Sequence, residues 1–186
     1  MISEEGKVND KEIKKDNNEK GSFLSEWIIP IISAIILAII INKFIMFKVL
    51  IPSGSMIPTL NVDDRLFVTR LYNLEKLQRG EIIVFYSEEY EKSLIKRLIG
   101  LPGDKVKIEE GIVYVNGEKL EERYLGKKDQ LSGEYEVPEG KYFFLGDNRK
   151  ESQDSRYWVN PYIDGEDITG KAKLKVYPLN QIGWIK

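Results

Sequence analysis

The stretch Pro52-Ser53-Gly54-Ser55-Met56-Ile57-Pro58-Thr59-Leu60 combines nucleophilic hydroxyls with residues that fix backbone shape. Gly54 permits a tight backbone and the two prolines stiffen its flanks, so the segment is suited to presenting Ser55 on a rigid loop. The same spacing fits a plain polar turn. In Leu94-Ile95-Lys96-Arg97-Leu98-Ile99, strand alternation puts Lys96 on the face of Leu94 and Leu98. An amine so placed is desolvated, which lowers its pKa toward that of a general base. An edge-strand lysine that discourages aggregation fits the pattern as well. A third segment, Gly146–Trp158, is dense in Asp, Asn, Arg and Ser and reads as an ion-paired, hydrogen-bonded loop or as a solvated one.

What the chain lacks narrows the chemistry. With no histidine and no cysteine, Ser-His-Asp and Cys-His catalysis, histidine-ligated zinc and disulfides are excluded. A carboxylate metal site would compete with the arginines of the 146–158 loop, so no metal and no cofactor are expected. Serine plus lysine is the nucleophile–base pair that needs no further residue type. Lys+Arg is 28 and Asp+Glu is 30, giving a net charge of −2, which argues against nucleic acid as a partner.

The elements that must position these groups follow from composition. The 186 residues are 42% hydrophobic and 31% charged, enough for one domain with an anchor. Residues 1–22 carry five Lys and six Asp/Glu and are expected to be a disordered tail. Residues 23–47 are expected to be a transmembrane anchor. The Trp27–Phe47 run is apolar all round, and its length at ~1.5 Å per residue matches a ~30 Å bilayer core. A buried core helix and a cleavable signal peptide are the rival readings; the long charged tail and the lack of a small-x-small site after the run oppose the latter. Lys11, Lys14, Lys15 and Lys20 outnumber the basic residues following the span, which points to a cytoplasmic N-terminus. Residues 48–186 would then be extracytoplasmic.

This downstream region reads mainly as β. Ile82–Tyr86, Ile112–Val115, Tyr142–Leu145 and the alternation of Ala172, Leu174 and Val176 with Lys171, Lys173 and Lys175 are strand patterns. Asn116-Gly117 marks a type I′ hairpin turn, and Tyr72–Gln78 a helical turn.

The three polar segments together resemble bacterial type I signal peptidases of the single-anchor, Gram-positive kind, which are serine/lysine proteases. The strings are Ser53–Leu60, Asp64–Val68, Arg79–Phe85, Lys96–Asp104 and Gly146–Arg149 through Ser152 and Asp154–Arg156, in the family's order. The resemblance covers nearly everything after residue 24. It implies a two-sheet β-domain with a small inserted lobe, placed here at residues 107–140. It implies Ser55 as nucleophile and Lys96 as general base, with Ser152 orienting the lysine and Ser53 helping the Ser55 N–H hold the oxyanion. Asp147, Arg149, Asp154 and Arg156 match a supporting ion-pair loop. The family usually carries Gly after the aromatic residue at Trp158, where this chain has Val159.

The implied function is a plasma-membrane serine endopeptidase that removes signal peptides from secretory preproteins, its partners being those preproteins and the lipid bilayer. The substrate would pair in extended form with the edge of the strand carrying Ile95, and Met56 and Ile95 are the expected pocket walls. Two alternatives are a catalytically silent, membrane-tethered peptide-binding domain and a self-cleaving SOS-type Ser/Lys protease. The intact Ser55 and Lys96 oppose the first. The apolar span opposes the second.

Overall fold

The computed structural model describes residues 24–125 and 129–185; the expected tail, 1–22, lies outside them. The chain divides at Ile45/Met46 into two units.

In the first unit an α-helix, Ile29–Ile40 (α1), is flanked by π-helical turns at Leu24–Ile28 and Ile41–Ile45. Pro30 sits in the first turn of α1, where a missing N–H costs nothing. The Ser33 hydroxyl donates back to the Ile29 carbonyl. Glu26–Ile45 is long and apolar enough to cross a membrane, and its isoleucines are exposed on every side. Met46 and Phe47, expected within the anchor, instead open the first strand, where they pair with Thr69 and Val68. Apolar composition is shared by a helix end and a buried strand, so pairing decides.

The second unit is β throughout. Its strands are Met46–Leu50 (β1), Arg65–Arg70 (β2), Ile82–Ser87 (β3), Lys92–Gly100 (β4), Lys105–Glu109 (β5), Ile112–Val115 (β6), Glu118–Lys119 (β7), Gly133–Glu136 (β8), Lys141–Leu145 (β9), Ile163–Asp164 (β10), Ile168–Tyr177 (β11) and Gly183–Trp184 (β12). The large sheet runs β1-β2-β11-β3-β4-β9-β10, with β12 paired to β11. The small sheet runs β7-β6-β5-β8 and is the inserted lobe, its strands lying within residues 105–136. Each observed pairing is antiparallel.

Local chemistry explains the turns. Asn116 and Gly117 both take positive φ, 53° and 84°, as a type I′ turn between β6 and β7 requires. The helical turn expected at Tyr72–Gln78 is a 3₁₀ turn, Leu74–Lys76, capped by Asn73 accepting from the Glu75 N–H. The alternation expected along β11 holds only to Ala172. Register shifts between Ala172 and Leu174 and between Lys175 and Tyr177 turn Lys175 inward, where its Nζ lies 2.5 Å from Asp64.

Three apolar clusters hold the domain. One face of the large sheet buries Ile83, Phe85, Leu98, Phe144 and Trp158. Ile99, Phe143 and Leu145 pack with Val106, Ile108, Val113 and Val115 and fasten the lobe to β4 and β9. A third cluster gathers Ile51, Met56, Leu60, Leu66, Ile82 and Ala172.

Candidate active site

Ser55 lies in a single 3₁₀ turn, Gly54–Met56. Met56 and Leu60 are wholly buried in the third cluster, and the Leu60 N–H donates to the Met56 carbonyl at 2.9 Å. That apolar anchor fixes the turn from below and presents the neighbouring Ser55 to β4. Lys96 is on β4, opposite Ile83 of β3. Leu94 and Leu98 flank it along the strand, so the amine stands on the apolar face of the first cluster. Its Nζ lies 2.6 Å from Ser55 Oγ.

Burial lowers the Lys96 amine from its ordinary 10.5 to about 8, against the opposing pull of Asp154 and Asp147. Desolvation outweighs those carboxylates because each is already matched by a guanidinium. Asp147, fully buried, takes a two-pronged contact from Arg97 at 2.9 and 2.7 Å and a third from the Thr59 hydroxyl at 2.5 Å. Asp154, equally buried, takes Arg156 Nε at 2.7 Å and Nη2 at 2.8 Å, and accepts the Gly146 N–H at 2.9 Å.

The four expected loop residues are therefore buried and ion-paired, but most of their partners come from elsewhere. Arg97 belongs to β4. Arg149 pairs with Glu122 and donates to the Gly146 carbonyl at 3.0 Å; Arg156 also pairs with Asp129. Tyr124 stacks on the Arg97 guanidinium, 3.7 Å from ring centroid to Cζ, and its hydroxyl donates to Glu122 at 2.8 Å. Glu122, Tyr124 and Asp129 thus reach all three arginines. Sequence reasoning missed Thr59, Arg97, Glu122, Tyr124 and Asp129. Arg97 follows Lys96 directly, and strand alternation alone sends it to the other face.

Ser152 is buried, yet among the described residues its Oγ finds no hydrogen-bond partner; the expected bond to Lys96 is not made. The hydroxyl is instead packed over Gly146. A Cβ on Gly146 would lie 2.1 Å from Ser152 Oγ and 2.5 Å from the Ser55 carbonyl oxygen. Gly146→Ala is accordingly expected to displace both serines, destabilise the domain by ~1–3 kcal/mol or more, and remove most turnover. Denaturant melts and turnover of this variant check it; a parent-like enzyme would show that the contact is soft.

Ser53 precedes the turn with an extended backbone (φ −140°, ψ 159°) and is exposed. Ser53, Gly54, Ser55 and Lys96 border a cleft of about 260 Å³, completed by Tyr90, Lys92, Leu94, Glu151 and Gln153. Met56 and Ile95, expected as its walls, do not border it. Both pack in or against the third cluster, because alternation sends Ile95 to the face opposite Lys96. Larger concavities lie elsewhere, one beside Trp158, one on the lobe and one along α1. They hold none of the dyad, and size alone does not mark the chemistry. At Val159 the backbone shows no positive φ, so glycine is not required there; its side chain is exposed and its N–H donates to Glu89 at 3.0 Å. Among the described residues no group of three or more carboxylates is placed to hold a metal.

A serine hydroxyl beside an amine depressed toward neutrality, in an open cleft, is equipped for acyl transfer. A sequence model described as "Signal peptidase, peptidase S26" matches residues 24–177. A signal peptidase I from Bacillus licheniformis is 38% identical over 181 residues, covering 91% of this chain and 96% of that protein. Signal peptidase I T of Bacillus subtilis is 36% identical over 194 residues, 98% of each. A probable signal peptidase I-2 of Synechocystis is 40% identical over 160 residues, 82% of this chain and 72% of that protein. A crystal structure of a signal peptidase I from Enterococcus faecalis is similar with a TM-score of 0.47 and 34% identity, covering 53% of this chain and 98% of that one.

Proposed function

Since the chain belongs to the signal peptidase family, peptidase S26, we propose that Ser55 and Lys96 are the nucleophile and general base of its serine endopeptidase activity. That activity removes signal peptides from secretory preproteins. The 2.6 Å contact between Nζ and Oγ carries the assignment.

In this reading neutral Lys96 accepts the Ser55 proton as Oγ attacks the scissile carbonyl carbon. The Ser55 N–H and the Ser53 hydroxyl hold the resulting oxyanion. The intermediate collapses to an acyl-enzyme as the Lys96 ammonium protonates the departing amine. Lys96, neutral again, takes a proton from water; the hydroxide attacks the acyl carbon, and Ser55 leaves with that proton. Ser152, buried without a partner beside this centre, is a candidate acceptor for the ammonium when it forms. No step needs a metal, and the two buried carboxylates of the loop are taken up by arginines, Asp147 by Arg97 and Asp154 by Arg156. The substrate lies extended along β4, whose Lys92–Lys96 half, among the described residues, pairs with β3 alone. Glu26–Ile45 spans the plasma membrane with the N-terminus cytoplasmic and the β-domain outside, in keeping with the lysine excess before the span.

The test is release of a signal peptide from a preprotein by the full-length protein in detergent. The parent should cleave it and Ser55→Ala should not; cleavage by Ser55→Ala would end the assignment. A silent peptide-binding domain would release nothing in either form. The pH profile is a further check. With the amine at about 8, only about a tenth of the enzyme is competent at pH 7. kcat/KM should therefore rise with pH along an acid limb centred near pH 8. An acid limb near the carboxylate range would assign the base to an Asp or Glu.

A further inference from the structure

Asn148 follows Asp147 in the loop and has no role in the scheme above. Its backbone N–H donates to the Ser55 carbonyl at 3.0 Å. Its side-chain Nδ2 donates to the Gly54 carbonyl at 3.0 Å and to Glu151 Oε2 at 3.1 Å. Asn148 thus grips the nucleophile's turn on both sides, one peptide before Ser55 and one after. The two acceptors also settle which way the amide points: flipped, its oxygen would face a carbonyl and a carboxylate.

The Gly54 carbonyl belongs to the peptide unit whose N–H is that of Ser55. In a trans peptide the two groups point in opposite directions. A donor on the carbonyl side therefore leaves the N–H facing away from Asn148. That N–H stands at the start of a 3₁₀ turn, where no carbonyl lies behind it to accept. Hydrogen bonding to an amide oxygen polarises the unit and strengthens its N–H as a donor. Glu151 lies on the border of the same cleft and engages the second amide hydrogen, which fixes the rotation of the Asn148 side chain.

We propose that Asn148 is a positioning residue for the reaction: through Gly54 it orients and polarises the Ser55 N–H that receives the oxyanion, with Glu151 holding the Asn148 amide in place. The proposal rests on the assignment of Ser55 and its N–H given above. It divides the loop's work. Asp147 and Asp154 set the frame of the lysine, and Asn148 sets the frame of the oxyanion donor. Since the backbone bond from Asn148 to Ser55 survives any side-chain replacement, the side chain can be tested with the turn still tied on one side.

The experiment compares full-length parent, Asn148→Ala, Asn148→Asp, Glu151→Gln, Glu151→Ala and Ser55→Ala in detergent. It reads kcat and KM on a peptide spanning a cleavage site, the acid limb of the pH profile, and the affinity of a peptide aldehyde of the same sequence. The aldehyde forms a tetrahedral adduct with a serine hydroxyl and so samples the oxyanion site. Asn148→Ala weakens the donor without deleting it, so kcat should fall about tenfold or more, part of the ~10²–10³ lost when an oxyanion donor is removed. KM and the acid limb should stay near the parent's, and aldehyde affinity should fall by the same factor as kcat/KM. Asn148→Asp, which sets a carboxylate against the Gly54 carbonyl and Glu151, should lose more. Glu151→Gln, which keeps an acceptor oxygen, should lose less than Glu151→Ala. Unchanged kcat in Asn148→Ala, a rise confined to KM, or a displaced acid limb would each overturn the proposal. If Ser55→Ala retained cleavage, the fault would lie with the nucleophile assignment instead.

Discussion

Lys96→Met should abolish preprotein cleavage and, in the same molecule, raise the stability of the β-domain at neutral pH by about 3 kcal/mol. Loss of a general base alone is worth ~10²–10⁴-fold in rate. With no histidine in the chain, no neighbouring imidazole can substitute. The stability gain follows from the depressed amine. Burial holds folded Lys96 at about 8 against 10.5 when exposed. Between these values the unfolded chain binds the extra proton, so this group's contribution to stability rises with pH across that window. Below pH 8 the amine is protonated in both states and the full cost of burying it is present. Methionine keeps the apolar stem and removes that cost. It leaves neither Asp147 nor Asp154 unpaired, because Arg97 and Arg156 remain. Paired denaturant melts of full-length parent and variant should therefore differ most at pH 7. By pH 10 the difference should shrink to under ~1 kcal/mol. A variant less stable than the parent at pH 7 would mean that Lys96 is a favourable buried cation and not a base held near neutrality.

The opposite sign is expected one residue along. Arg97→Met would leave Asp147 fully buried with only the Thr59 hydroxyl among its present side-chain partners, and should destabilise the domain by ~3–5 kcal/mol. Turnover should fall with it, since the Gly146–Asn148 backbone under Ser55 hangs from that carboxylate. Arg97→Met combined with Asp147→Leu removes both charges together and should recover much of the lost stability. A thermodynamic cycle over the two single variants and the double measures this. A single-variant loss below about 1 kcal/mol would place the pair with the weak surface contacts.

Elimination narrows the chemistry to serine plus lysine, since the chain lacks histidine and cysteine, but Ser55 and Lys96 are singled out by the resemblance to signal peptidases: their spacing alone fits a polar turn and an edge-strand lysine as well. β3, β4, β6, β9 and the first part of β11 were legible from their strand patterns, whereas the apolar start of β1 reads as anchor. Later in β11 a bulge reverses the alternation, and a bulge leaves no mark in composition. The ion pairs were legible as a charged loop but not as pairs. Arg97 and Asp147 are 50 residues apart, and Arg149 and Glu122 are 27 apart, so only the assembled sheets bring them together. Met56 and Ile95 lie apart from the cleft for a related reason. Alternation separates Ile95 from Lys96, yet which face the substrate meets is set by where the Ser55 turn lands.

Glu122, Tyr124 and Asp129 bear on how this protein could be redesigned. Three arginines at or beside the Gly146–Trp158 loop take them as partners, Arg149 taking Glu122, Arg156 taking Asp129 and Arg97 taking the Tyr124 ring. The inserted sheet looks like a dispensable decoration on the large one, the obvious part to trim for a minimal protease. Trimming it would remove the countercharge of Arg149 and one of the two countercharges of Arg156 at a stroke. A shortened enzyme would need those guanidiniums replaced by neutral side chains in the same step. Swapping in a relative's lobe should succeed only when the donor brings two acids and an aromatic ring to the same three places.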